Sequence, residues 1–171
     1  MSLRPDGARV WRFALIDGPN MPSLGARDKV LYGPIRSIGD LHDLVRSFAA
    51  ELGVEIECMA SNHEGEILDF IHARGAGVDG FLINPAGLTT YGEATRHALS
   101  DTAKPFVEVH FSNLARHLEA VSGTRPLESR FSKSARGMVM GMRQYSYLGA
   151  LLALTLSLDD ETFLGGDGPT Q

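Results

Sequence analysis

Four short, mostly apolar runs restrict this chain more than any other feature: Phe13–Ile16, Val54–Met59, Gly80–Ile83 and Phe106–Val109. Each is bounded by turn-forming residues, and the runs are separated by stretches of helical periodicity. Runs of four to six residues rich in Val, Ile and Phe are what strands covered on both faces look like. Between them, Ile38–Leu52 carries Ile38, Leu41, Leu44, Val45, Phe48 and Leu52 at spacings of three and four and stops at Gly53, which predicts an amphipathic helix with a glycine C-cap. Glu64–Ala73 repeats the pattern with Ile67, Leu68, Phe70 and Ile71 and ends at Gly75 and Gly77. Gly92–Leu99 is a shorter predicted helix that closes before Pro105. Strand, helix, strand at this cadence implies right-handed crossovers onto a parallel sheet.

The last third carries less pattern. Asn113–Ser134 has little apolar periodicity and holds Gly123 and Pro126, so it reads as a loop with one helical turn. Gly137–Gly141 supplies a fifth strand, and Gln144–Ser157 a closing helix with Tyr147, Leu148, Leu151, Leu152 and Leu154 among its apolar positions. The expected fold is α/β: a flavodoxin-like three-layer sandwich around a five-stranded parallel sheet. At 171 residues the chain fits a single domain, with its core at about 13–157 and loosely ordered tails at Met1–Arg12 and Asp159–Gln171.

Composition narrows the partners. With 16 basic against 21 acidic residues the net charge is -5, which repels a phosphate backbone and speaks against nucleic acid. Cys58 is the only cysteine, so there is no internal disulfide framework or Cys-based zinc cluster, and its apolar surroundings suggest an inert core thiol in a reduced compartment. No apolar run approaches the roughly 18 residues of a membrane span, and Met1–Val10 is too polar for a signal peptide. The expectation is a cytoplasmic protein with no membrane partner. The six histidines show no ligand spacing, so no metal is expected; His42, His72 and His117 read as solvated. Met138, Met140 and Met142 alternate as one strand face would, and neither Gly18-Pro19 nor the glycines near Gly166 have phosphate-loop spacing.

In an open parallel sheet the ligand crevice lies beyond the carboxyl ends of the strands. After the first predicted strand comes Asp17-Gly18-Pro19-Asn20, then a loop with Arg27 and Tyr32; after the second, Ser61-Asn62-His63-Glu64; after the third, Asn84-Pro85; after the fourth, His110-Phe111-Ser112-Asn113. Every edge delivers an amide and two deliver an imidazole. Amides, His, Arg and Tyr converging on one rim suit the orientation of a hydroxylated small-molecule substrate and the movement of protons.

These segments also carry a resemblance. Asp17-Gly18-Pro19-Asn20, then Leu24-Gly25-Ala26-Arg27, then Tyr32-Gly33 resemble the first loop of the type II dehydroquinases, where the pattern runs N-G-P-N, L-G-x-R, Y-G. Ala60–Glu66, Ile83–Pro85 and Val107–Asn113 match in order, so the similarity runs from about Phe13 to Leu156. The resemblance implies dehydration of 3-dehydroquinate to 3-dehydroshikimate through an enolate, with no cofactor or metal, in a trimer-based dodecamer. It makes Tyr32 the base and Arg27 the cation beside it; tyrosine titrates near about 10, so a neutral-pH tyrosinate needs such a cation. It gives Asn20 the enolate-stabilising water or hydrogen bond. His110 would protonate the departing hydroxyl, with Glu108 on the same strand face orienting its ring. Asn84 would bind the hydroxyl that leaves, and the backbone around Phe111 and Ser112 the carboxylate.

The departures lie around the other ring hydroxyls. Thr90 occupies the position of a substrate-binding histidine, and His97 replaces an aspartate that reaches a neighbouring subunit's site. The family's later substrate-binding arginine has two candidates, Arg116 and Arg125. Tyr91 or His97 could fill in for the histidine, leaving a dehydroquinase of altered affinity; otherwise the pocket serves a related hydroxy-ketone acid, or binds without turnover. Plainer roles exist as well: Asn20 as a turn residue, Tyr32 as packing at a loop edge, Arg27 as a surface ion pair with Asp28, His110 as a satisfied core histidine, and His63-Glu64 as a helix N-terminal cluster.

Overall fold

The computed structural model describes residues 3–116 and 128–160. Five parallel strands form one sheet in the order β2-β1-β3-β4-β5, with β1 Arg12–Asp17, β2 Glu55–Ala60, β3 Gly80–Asn84, β4 Phe106–His110 and β5 Gly137–Met140. The helices are α1 Lys29–Tyr32, α2 Ile38–Leu52, α3 Glu64–Arg74, α4 Glu93–Asp101 and α5 Gln144–Asp159, with 3-10 turns at Met21–Ala26 and Ala86–Leu88. This is the expected α/β, flavodoxin-like arrangement, and the strand order reverses between β1 and β3.

Period-two alternation along the strands sorts their side chains into two cores. Phe13 and Leu15 of β1, Leu82 of β3 and Val107 and Val109 of β4 pack with Leu41 and Val45 of α2 and Tyr147 and Leu151 of α5. Ala14, Ile16, Phe81, Ile83 and Phe106 pack on the other face with Ile67 and Ile71 of α3 and Leu99 of α4. The helix signals act as their chemistry predicts. Ser37 caps α2 by accepting from the Asp40 N–H at 3.0 Å, and Gly53 ends it at φ 69.

Several expectations need correcting. Residues 3–12 are not a loose tail: Arg4 donates to Asp159 Oδ2 at 2.7 Å and to the Leu52 carbonyl at 2.9 Å, and Trp11 Nε1 donates to Asp159 Oδ1 at 2.8 Å. The loop with one helical turn expected at Asn113–Ser134 has that turn at residues 114–116, but it also supplies a fully buried core side chain, Phe131, which the lack of periodicity did not announce. Met142 lies beyond β5 and is exposed, so the methionine alternation holds only for Met138 and Met140. His42 is buried, because it sits on the core-facing side of α2 beside Leu41 and Val45 and finds a polar partner there. His117, Arg125 and the glycines near Gly166 lie outside the described residues. Cys58 is half-buried, and burial pushes its thiol up to about 12, which keeps it protonated near neutral pH. Among the described residues no helix is long and apolar enough to cross a membrane, and no three His, Cys, Asp or Glu side chains group to hold a metal.

Candidate active site

The reversal of strand order opens a crevice where β1 and β3 end side by side, in register at Asp17 and Asn84. The two chains cross almost in contact there. Gly18 N–H donates to the Asn84 carbonyl at 2.9 Å, and a Cβ on Gly18 would lie 2.3 Å from the Pro85 oxygen, so only glycine fits. Beyond this crossing lies a cavity of about 250 Å³ lined by Asn20, Arg27, Tyr32, Asn84, His110 and Ser112, among others. Ala86, Gly87, Thr89, Thr90 and Leu114 also line it, and none of them is charged.

Each side chain is delivered by local backbone geometry. Asn20 turns the chain at φ 78, a left-handed conformation that asparagine tolerates, and its N–H donates to Asn62 Oδ1 at 2.8 Å. Among the described residues Asp28 pairs with no arginine; it accepts from the Val30 N–H at 2.8 Å and starts the single turn of α1 that ends in Tyr32. Arg143 Nη2 pins that turn by donating to the Val30 carbonyl at 2.7 Å. Arg27 is thereby released for Tyr32. Its Nη2 donates to the Tyr32 hydroxyl, and its guanidinium carbon lies 3.8 Å from the ring centroid. The Tyr32 ring approaches Phe111, centroid to centroid 6.1 Å.

On β4, alternation puts Glu108 and His110 on the same face. His110 Nε2 lies 2.7 Å from Glu108 Oε1; Ser129 Oγ donates to that oxygen at 2.5 Å and Ser132 Oγ to Oε2 at 2.7 Å. Burial pushes the Glu108 carboxyl upward, but the three hydrogen bonds outweigh it and hold the group below the usual carboxylate range. The carboxylate therefore stays ionised at neutral pH and accepts from Nε2–H. Nδ1 is left as the ring nitrogen available to the cavity.

Tyr32, Arg27, Asn20, His110, Asn84, Phe111, Ser112 and Thr90 all line the one cavity, and Glu108 reaches it through His110. His97 does not line it. It sits exposed on α4 with its Nε2 3.4 Å from Glu93. Tyr91 is 67% exposed, and Arg116 is exposed on the helical residues after β4; neither lines the cavity in this chain. His63 stands at the N-cap of α3, exposed and without a side-chain cap, while Glu64 reaches across to accept from Thr95 Oγ1 at 2.8 Å. The sequence reading missed Ser129 and Ser132, which lie in a segment without periodicity. It also missed Arg130, whose Nε donates to the Thr90 carbonyl at 3.1 Å beside the cavity wall. Asp17, His42 and Tyr147, buried directly behind the rim, were legible only as strand-end and helix positions.

The family pattern described as Dehydroquinase class II matches residues 11–155. A 3-dehydroquinate dehydratase of Halothermothrix orenii is 38% identical over 143 residues, 84% of this chain and 93% of that protein. A catabolic 3-dehydroquinase of Emericella nidulans is 36% identical over 145 residues, 84% and 90% of the two chains. Among solved structures, the type II dehydroquinase of Butyrivibrio crossotus superposes with a TM-score of 0.74 at 31% identity, covering 85% of this chain and 97% of that one. A 3-dehydroquinate dehydratase-like protein of Bifidobacterium longum gives 0.61 at 25% identity, over 87% and 98%.

Proposed function

Because the chain belongs to the class II dehydroquinase family, we propose that it is a carbon–oxygen lyase that dehydrates 3-dehydroquinate to 3-dehydroshikimate through an enolate. The observation that carries this reading is the meeting of Arg27, Tyr32 and His110, far apart in the chain, around one cavity with Asn20 and Asn84. Tyr32 is the base. A guanidinium can only donate, so the hydrogen bond from Arg27 puts the phenolic oxygen in the accepting role that proton removal beside the ketone requires. Asn20, at the turn after β1, stabilises the enolate oxygen directly or through water. Glu108, bonded to Nε2, orients the His110 ring, and His110 gives a proton to the departing hydroxyl. Carbon loses a proton to Tyr32, the enolate collapses, and the C–O bond breaks as water leaves.

Thr90 supports a second reading, in which the same chemistry runs on a related hydroxy-ketone acid. It leaves the wall short where the family has histidine, and neither Tyr91 nor His97 of the same chain fills the space. The setting we propose is a cytoplasmic homo-oligomer; the large apolar side chains of Val30, Tyr91, Met142 and Tyr145, all exposed in the single chain, support contacts with other copies.

The test is ultraviolet absorbance, because dehydration creates a conjugated enone. Mixing the protein with 3-dehydroquinate should raise the signal, and its absence over hours at high protein concentration would sink the assignment. Thr90→His should raise kcat/KM for 3-dehydroquinate if that wall was edited, by about 10-fold for one regained hydrogen bond; an unchanged value would count against the second reading.

A further inference from the structure

Behind the cavity rim lies a buried polar cluster that the reaction as described does not use. Asp17, Asn84 and Tyr147 are at most 3% exposed and His42 is 7% exposed. Strand alternation brings them together. Asp17 shares the face of Phe13 and Leu15, Asn84 the face of Leu82, and both point toward α2, which supplies His42, and α5, which supplies Tyr147. Asp17 Oδ2 lies 3.0 Å from His42 Nε2. Asp17 Oδ1 accepts from the Tyr147 hydroxyl at 2.6 Å and from Asn84 Nδ2 at 3.3 Å. Asn84 Nδ2 also donates to the Tyr147 oxygen at 2.7 Å, and Asn84 Oδ1 accepts from the Ala86 N–H at 3.1 Å.

We infer that Asp17, steadied by His42, is a positioning residue that fixes which way the Asn84 amide faces, so that it offers the substrate its oxygen. An ionised carboxylate can only accept. Tyr147 has one hydroxyl hydrogen, and it goes to Asp17; burial and the adjacent carboxylate hold that phenol well above its ordinary range, so the hydrogen stays in place. The Tyr147 oxygen must then receive its hydrogen bond from Asn84, which turns the amide nitrogen inward, toward Tyr147 and Asp17. The amide oxygen is then the end with a lone pair to spare beyond its bond from the Ala86 N–H. That lone pair can take the hydrogen of a hydroxyl and repels a carboxylate, so the substrate's hydroxyl face is set against Asn84 and its carboxylate elsewhere. The family pattern opens on asparagine where this chain has Asp17; an asparagine can present either end, whereas the carboxylate admits one arrangement. His42 gives the second carboxylate oxygen a hydrogen-bond partner at this buried position.

This inference rests on the proposed lyase reading, and binding tests it apart from turnover. The probes are the alcohol made by reducing the ketone of 3-dehydroquinate, which cannot form an enolate and so cannot eliminate, and the same alcohol lacking the hydroxyl that leaves. Calorimetry on the wild-type chain should show the hydroxylated probe binding about 10-fold tighter. Asp17→Leu should bring the ratio close to one while the fold, followed by circular dichroism, persists. Asp17→Asn, able to present the same oxygen to Tyr147 and Asn84, should keep the ratio within about threefold of wild type. A merely structural role for Asp17 would weaken both probes together and leave the ratio intact, and that result overturns the inference. Should Asp17→Leu fail to fold, His42→Leu carries the test: releasing Oδ2 should lower the ratio about threefold, and an unchanged ratio overturns the inference. Wild-type protein that forms the enone but binds the two probes equally removes Asn84 and Asp17 from recognition while the lyase reading stands. Wild-type protein that forms no enone and binds neither probe removes both.

Discussion

The polar partner of Tyr32 is a guanidinium, which has no lone pair to offer, and this fixes the direction of the hydrogen bond. Tyr32→Phe keeps the ring contact with Phe111 and the stacking of Arg27, so thermal unfolding should be unchanged while kcat falls by about 100-fold or more. A variant at wild-type rate would reject Tyr32 as the base. In the proposed reaction Glu108 acts one step further back, through His110. Glu108→Gln replaces a group that can only accept with an amide that can turn either end to Nε2, so kcat should fall by about 10-fold or more while KM changes little. A variant that loses thermal stability but keeps wild-type kcat would reduce Glu108 to a packing role. At this scale the candidate rim was legible in the sequence: Asn84 and His110 stand directly after predicted strands, and Arg27 and Tyr32 in the loop that follows the first. Ser129 and Ser132 were not, because a hydroxyl that donates to a carboxylate across the fold has no local spacing to announce it.

Among the elements, the strands and long helices followed their hydrophobic periods, and capping residues such as Ser37 and Gly53 marked their ends. The single turn α1 and the two 3-10 turns were not foreseen, since three to six residues carry too little pattern for a period to show. Yet α1 is what carries Tyr32. The β1 and β3 ends meet through Gly18, and a methyl group there would displace the Pro85 carbonyl. Gly18→Ala should therefore cost at least about 2 kcal/mol in urea unfolding and depress activity with it. Gly65, in the first turn of α3, has open space where a methyl group would stand, with nothing within 4 Å, so Gly65→Ala is the control and should be neutral or mildly stabilising. Equal effects at the two positions would mean that the strand crossing is looser than its geometry implies.

Across the whole molecule, Arg4 ties the start of the described chain to its last helix through Asp159, and both side chains are 8% exposed. The hydrogen bond from Arg4, with that from Trp11, holds the Asp159 carboxyl below the usual range against the opposing effect of burial. A carboxyl lowered in the folded state adds stability that is present above its unfolded pKa, about 3.9, and is lost as pH falls through the folded value. Asp159→Asn should thus lower stability by about 2 kcal/mol at neutral pH, and the gap from wild type should shrink below about pH 4. A gap that stays constant with pH would show that charge contributes nothing to this tie. The sequence placed residues 3–12 in a loose tail because the segment has no periodicity and a contact with a residue 155 positions away leaves no local trace.

Local pattern alone determined the layered parallel sheet, the strand ends that line the candidate site and the membership signalled by four ordered motifs, because burial periods and turn residues are written within a few neighbours of each position. Only the tertiary structure decided which partners those residues take: Arg27 for Tyr32 and not Asp28, two serines for Glu108, and His42 with Tyr147 for Asp17. Hydrogen bonds and charges act over a few ångströms in space whatever the separation along the chain, so their pairing exists only once the strands have set the distances.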